Sequence, residues 1–354
     1  MKTIPRVLVP FVLLAPFGLA GEWHAEHPRF RPESGTQLSK TLEMQGELDL
    51  EDSTMKVDGV DRSEMFGQLE IVMRVGQSIT VTDHYEQVAD GRVTRLKRSF
   101  DELGGTTRIS GSHPVAGPIE EELEMASELE GKSVVFTWDG DEEAYVAAFA
   151  EEGADEELLE DLREDLDLSG FLPTEEMAEG ESWSIDAEAV RSLLAPGGDL
   201  KLRPDGPAGQ FGGSNQFSQN DLIGELDGKF QATFAGVRDG EDGAKVAVIK
   251  LDLEARSARD MSSLLEELGE QMQSNLPEGM EVDFTSLDGE YEFDAEGELL
   301  WDLGTGLVHG LSLSGQMRQI VDTAMTMKMG SNTSSMETSQ TFAGTQTFVL
   351  TTSR

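Results

Sequence analysis

Leu38–Glu51, LSKTLEMQGELDLE, alternates apolar and polar residues, with Lys40 and Gly46 the exceptions on the apolar parity. Leu38, Leu42, Met44, Leu48 and Leu50 hold even positions, and Ser39, Thr41, Glu43, Gln45, Glu47, Asp49 and Glu51 fill the odd ones. A period of two places successive side chains on opposite faces of a strand, so this stretch predicts a long, half-buried β-strand. The same pattern recurs on odd positions at Leu69, Ile71, Met73, Val75, Ile79, Val81 and Tyr85. Extended at about 3.3 Å per residue, that run would reach roughly 55 Å, so a bend is expected, with Gly76 a candidate bulge. Asp90-Gly91 is a hairpin turn into Arg92–Phe100. Arg92, Arg95, Lys97 and Arg98 make that returning strand basic. They read as a balanced outer face, the alternative being an internal counterpart to acidic residues elsewhere.

Further along, residues 119–130 read as a short acidic helix or loop. Val134, Phe136 and Trp138 begin another hairpin through Asp139-Gly140. In the distal half, Phe230, Ala232 and Phe234 alternate, then Ala247, Ile249, Leu251 and Leu253. Met261, Leu264, Leu265, Leu268 and Met272 suggest a helix from about Ser257 to Asn275. Short strands are expected at Val282–Phe284, Tyr291–Phe293 and Leu299–Trp301, divided by Asp288-Gly289 and Glu296-Gly297. Two long alternating segments close the chain, with Val321, Met325, Met327 and Met329 on one face of the first. Met336, Phe342, Phe348 and Leu350 lie on one face of the second, with Asn332 in the turn between.

Between the two β-patterned halves lies Asp155–Trp183, DEELLEDLREDLDLSGFLPTEEMAEGESW. Leu158, Leu159, Leu162 and Leu166 have helical spacing behind an acidic start. Asp165, Asp167, Ser169, Gly170, Leu172 and Glu176 then occupy positions 1, 3, 5, 6, 8 and 12 of an EF-hand-like loop, with the Phe171 carbonyl at position 7. Asp165, Asp167, Ser169, Phe171 and Glu176 are therefore candidate calcium ligands. Ser169 at position 5 and Pro173 at position 9 depart from the motif, and so acidic a chain inflates chance matches. A short helix is expected within Ile185–Leu194, stopped by Pro196-Gly197-Gly198. Residues 196–220, rich in Gly and Pro, read as a linker.

Residues 1–20 read as a secretory signal: Lys2 and Arg6, an apolar run over Val7–Phe17, and cleavage near Ala20-Gly21. The chain is expected in the periplasm or outside the cell. It has no cysteine, which excludes disulfides and a lipid anchor at a cleavage-site cysteine, so the core alone must hold the fold. The net charge of the whole sequence is −42, and losing Lys2 and Arg6 makes it two units more negative. Such a chain repels nucleic acid and anionic membranes. Residues 120–190 carry 26 Asp and Glu against Lys132 and Arg163 alone, which reads as a solvated acidic face.

The sequence holds no G-x-S-x-G elbow, no Walker loop and no G-x-G-x-x-G fingerprint. Gly310-Leu311-Ser312-Leu313-Ser314 is a near miss inside an alternating segment, and the five histidines are scattered. VTDHYEQVADGRVTRLKRSFDEL (81–103), FLPTEEMAEGESW (171–183) and LLAPGG (193–198) resemble uncharacterised secreted proteins of environmental bacteria such as planctomycetes. The resemblance implies an exported, largely β protein with no assigned activity.

Together these readings predict a mainly β (α+β) protein of long antiparallel, curved sheets or half-barrels with a few short helices. Its organisation is a signal peptide (1–20), a loose N-terminal arm (21–35), a first β-rich half (36–150), an acidic helix, turn and linker (151–220), and a second β-rich half with one helix (221–354). The expected role is that of an exported, non-catalytic binding or structural protein of the envelope. Met325, Met327, Met329 and Met336 are candidates to line an apolar-ligand groove. The alternatives are a calcium-binding module and a hydrolase whose site is assembled from distant residues.

Overall fold

The alternation that begins at Leu38 becomes β1 (Thr36–Val57) in a computed structural model describing residues 27–65, 69–113, 117–204, 223–240, 243–265 and 280–354. The first half continues with β2 (Val60–Asp61), β3 (Glu70–Ala89), β4 (Arg92–His113), β5 (Gly117–Ser127), β6 (Ser133–Asp139) and β7 (Ala144–Phe149). After the acidic stretch come β8 (Ser182–Ser184), α1 (Ala187–Leu194) and β9 (Leu202–Pro204). The second half holds β10 (Asp227–Asp239), β11 (Lys245–Asp260), β12 (Met280–Asp302), β13 (Leu307–Met329) and β14 (Asn332–Ser353).

These strands form one fourteen-stranded antiparallel sheet. Its order runs β7, β6, β4, β3, β1, β14, β13, β12, β11, β10, β8, with β2 beside β1, β5 beside β4 and β9 beside β5. The fold is mainly β, as the period-two pattern requires. The two β-rich halves meet edge to edge: β1 pairs with β14 from Ser39↔Ser353 to Val57↔Met336. One buried cluster runs through both, from Leu38, Ile79 and Phe100 to Phe293, Trp301 and Phe348. The sheet does not close on itself, and its two edges are β7 and β8.

Bulges change which parity faces the core. Extra residues Glu51 on β1, Asp101 on β4, Ala235 on β10 and Thr285 on β12 interrupt the ladders. On β1, β4 and β12 the bulge moves the core side from even to odd positions, from Leu48 to Met55, Phe100 to Leu103 and Phe284 to Leu287. Gly76, the expected bulge, pairs in continuous register with Gln45 and Thr106.

Other expectations are corrected. Residues 119–130 are largely strand β5, because β4 supplies a ladder from Gly104↔Ala126 to His113↔Gly117. Ser257–Asp260 extend β11 rather than start a helix, and a 3-10 turn follows at Ser262–Leu264. The rest of that expected helix lies outside the described residues, as do residues 205–220 of the linker. The three short strands expected after residue 280 are one strand, β12. Asp288-Gly289 and Glu296-Gly297 run straight through it, paired with β11 on one side and β13 on the other. A dipeptide that favours a turn in isolation is overridden when both neighbouring ladders are present. The turn before β14 is Gly330-Ser331, and Asn332 is already strand.

The N-terminal arm is packed, not loose, from residue 27 onward. Phe30 meets Tyr85 and Trp301 edge-on, the Trp301 indole donates to the Arg29 carbonyl at 3.1 Å, and Arg31 N–H bonds the Gly306 carbonyl at 3.0 Å. One aromatic wedge thus ties β3 to β12 at the same end of the sheet.

Candidate functional site

Three charged side chains sit on the apolar face of the sheet. Lys40 shares its parity with Leu38 and Leu42, Asp83 with Val81 and Tyr85, and Arg98 with Leu96 and Phe100. Each is almost completely buried. The pairing of β1 with β3 and of β3 with β4 brings them together. Arg98 holds Asp83 through a bidentate fork, Nε to Oδ1 at 2.7 Å and Nη2 to Oδ2 at 2.9 Å. Lys40 Nζ donates to the same Oδ2 at 2.7 Å. Burial pushes the Asp83 carboxyl up, but the charges of Arg98 and Lys40 outweigh it and hold it down to about 2. The same burial disfavours the Arg98 charge, and Asp83 overcomes it, so the guanidinium stays charged.

The remaining donors of the cluster face the acidic stretch. Arg98 donates to the carbonyls of Arg163 (3.1 Å) and Glu164 (2.9 Å), and Lys40 to that of Leu166 (3.1 Å). Charged donors to backbone oxygens are among the stronger hydrogen bonds, and here they hold residues 163–166 against the sheet. In place of the expected acidic helix there is a 3-10 turn at Glu156–Leu159. Asp161, with φ at +61°, breaks the chain direction directly after it. Leu162 and Leu166 still reach the core, as partly buried and buried residues, but from an isolated bridge and a turn rather than a helix. The basic strand read as an outer face thus contributes one residue inward: Arg98 is an internal counterpart of the acidic stretch.

The segment 150–181 connects the two open edges of the sheet, β7 and β8. Gly180 N–H bonds the Phe234 carbonyl at 2.8 Å and Phe234 N–H bonds the Glu181 carbonyl at 2.9 Å, fixing its far end to β10. A second strap, 195–200, lies against it: Arg163 N–H bonds Gly197 O at 2.9 Å, and Asp199 N–H bonds Asp161 O at 3.1 Å. Gly198 has φ of +76°, and a Cβ there would collide with the Asp161 carbonyl oxygen. Helix α1 leads into the strap as expected, capped by Asp186 accepting from Glu188 N–H at 2.9 Å, with Val190, Leu193 and Leu194 buried.

Two groups beneath this clasp are perturbed. Asp165 is largely buried and accepts only a 3.2 Å bond from Gly197 N–H. Burial pushes its carboxyl up to about 7, while the Arg98 charge pulls the other way. The buried Tyr85 hydroxyl has no hydrogen-bond partner among the described residues. Burial, then Asp83 and Asp167, raise it well above the ordinary phenol range. Asp83, by contrast, has all its acceptors committed. The cluster holds residues 163–166 down against the sheet.

The five candidate calcium ligands are not gathered by this geometry. Asp165 turns to Gly197, and Asp167 Oδ1 accepts from Ser169 N–H at 2.8 Å. Ser169 opens a 3-10 turn, the Phe171 carbonyl accepts from the Trp183 indole at 3.1 Å, and Glu176 is exposed. Among the described residues no group of three or more acidic or histidine side chains is placed to hold a metal ion.

The methionine face behaves differently from the core. Met325, Met327 and Met336 share the parity of Val321 and Phe342, so they point to the core side. Yet they are half-buried and join no core cluster. Val57, Met336, Met325 and Phe284 are direct cross-strand neighbours over β1, β14, β13 and β12. Met329, at the strand end, is 63% exposed.

No protein-family model matches the chain, and no curated protein matches it. Among solved structures, an outer membrane channel from Pseudomonas putida F1 is 10% identical over 92% of this chain and 98% of its own, with a TM-score of 0.20. The secretin-domain β-barrel of InvG from the Salmonella SPI-1 injectisome is 9% identical over 90% of this chain and 63% of its own, with a TM-score of 0.13. Scores this low carry no argument about function. Among the described residues no helix is long and apolar enough to cross a membrane.

Sequence reasoning missed the Lys40–Asp83–Arg98 cluster. The signal was present: each is a charge at a position whose parity belongs to the apolar face, and a buried charge requires a partner.

Proposed function

We propose that this chain is an exported, non-catalytic binding protein of the envelope whose half-barrel takes an apolar ligand on its methionine face. The observation that supports the reading is the half-buried row Val57–Met336–Met325, which continues the core side of the sheet beyond the packed core, with Phe284 next in the row packed against Met261, Leu287 and Val321. Apolar surface left partly open, lined by adaptable methionine, suits ligands of varied shape. The opposite face supports a body surrounded by water: Glu43, Glu47, Asp49, Asp294, Glu296, Ser312 and Ser314 are all exposed. Strands that cross a bilayer carry the reverse pattern, apolar outward. The signal-like residues 1–20 favour export; residues 1–26 lie outside the described residues.

Titration with N-phenyl-1-naphthylamine, which fluoresces on entering apolar sites, tests the reading. Wild type should give a saturable rise. Met325→Glu with Met336→Glu should weaken it at least about tenfold, whereas Val349→Glu, on the opposite face, should leave it unchanged. Absence of a saturable rise in wild type, or indifference to the double substitution, sinks the proposal.

A further inference from the structure

An unpaired strand edge is a template for another chain, and natural sheets guard it with shortness, charge or proline. Most free edges here are guarded. β8 and β9 have three residues each and β2 has two. β5 carries Glu120, Glu121, Glu122 and Glu124 along the part that β9 leaves uncovered. β7 carries neither charge nor proline: Ala144–Phe149 reads AYVAAF, and the 3-10 turn Glu156–Leu159, which packs near it, makes no backbone bond to it.

One row of its backbone groups is taken by β6. The bond from Ala150 N–H to the Ser133 carbonyl sets the phase of that ladder. Antiparallel residues alternate between bonding the partner and pointing away. Ala144, Val146 and Ala148 therefore bond β6, and Tyr145, Ala147 and Phe149 turn N–H and C=O outward. No described residue bonds those outward backbone groups with its own backbone. The side chains on the wet face add apolar surface: Ala144 and Ala148 are exposed, and Val146 is 50% exposed.

The flanks select the occupant. Asp141, Glu142 and Glu143 precede the strand, and Glu151 and Glu152 follow it. A second copy laid antiparallel would set acid against acid at both ends, which is unfavourable for facing strands. We propose that β7 accepts, as an added strand, an extended segment of a partner protein in which a short apolar run is flanked by Lys or Arg at both ends. Main-chain bonds to Tyr145, Ala147 and Phe149 give the affinity, contact with Val146 selects an apolar middle, and the acidic flanks select basic ends.

Fluorescence anisotropy of the labelled peptide Lys-Lys-Val-Thr-Val-Ile-Val-Lys-Lys, titrated with the full chain, tests this. Two controls accompany it: the same middle with Glu flanks, and the same Lys flanks around Gly-Pro-Gly-Ser-Gly. The first peptide should bind and both controls should not. Val146→Lys changes a wet position and should weaken binding at least about tenfold. Ala147→Pro deletes an outward N–H that β6 does not use, and should abolish binding; thermal melting of both variants confirms that they fold. Failure of the first peptide to bind, equal binding of the Gly-Pro control, or full affinity in both folded variants overturns the proposal. So does a Val146-dependent dimer in sedimentation that the peptide cannot displace.

Discussion

Replacing Asp165 by Asn keeps the side-chain shape and an acceptor for Gly197 N–H, and removes the ionisable proton. In the unfolded chain an aspartate loses that proton near pH 4, whereas in the fold burial holds it to about 7. Below about pH 4 both states are protonated, and the contribution of this raised carboxyl is fully present. As pH rises through 7 the unfolded state has already ionised, and the contribution is lost. Each pH unit in that window is worth about 1.4 kcal/mol, about 4 kcal/mol in all. The side chain keeps some contact with solvent, which reduces the expected loss to about 2–4 kcal/mol. Urea unfolding of wild type and Asp165→Asn, run at pH 4.5 and 8.5, isolates the effect, because every other group titrates alike in both proteins. The two should be close at pH 4.5. At pH 8.5 the Asn protein should be more stable by about 2–4 kcal/mol. A stability difference that does not change with pH would refute the claim that Asp165 is held neutral under the clasp.

Asp83→Asn leaves Lys40 and Arg98 buried without a counter-ion, and should cost about 3–5 kcal/mol at pH 6. Because the Asp83 carboxyl is held down to about 2, its contribution is present above about pH 4 and is lost as pH falls toward 2; the difference from wild type should narrow in urea melts at pH 2.5. With Asp165 turned to Gly197 and the Phe171 carbonyl taken by Trp183, calorimetric titration with calcium chloride should give the same unsaturable heat for wild type and for Asp165→Ala/Glu176→Gln. A saturable wild-type signal that the double substitution removes would restore the loop as a calcium site.

Much of the sheet was legible because strand parity is a local property. Leu38–Glu51 and the final two segments needed only their own residues to declare a core side. Element boundaries were less legible where a neighbour decides. Asp288-Gly289 makes a good turn alone, but inside β12 it is gripped by two ladders. The acidic helix gave way for a similar reason: the stretch after its first turn is held by groups far away in sequence, with the carbonyls of Arg163, Glu164 and Leu166 bonded by Arg98 and Lys40 and Asp161 and Arg163 bonded to the 195–200 strap. Of the candidate site, the methionine face was readable from spacing. Its half-buried state was not, since that depends on where the packed core ends.

The sequence by itself determined that long strands would present one oily and one wet face, since alternation is fixed by backbone geometry. It also determined that no disulfide would brace them. Only the tertiary structure decided that β1 would lie against β14, and so that two β-rich halves would share one core. It likewise decided that Lys40, Asp83 and Arg98 would meet under residues 163–166. Pairing between distant strands is chosen by the collective burial of their apolar faces and by the need to neutralise every buried charge. Neither condition is written in any single stretch of the chain.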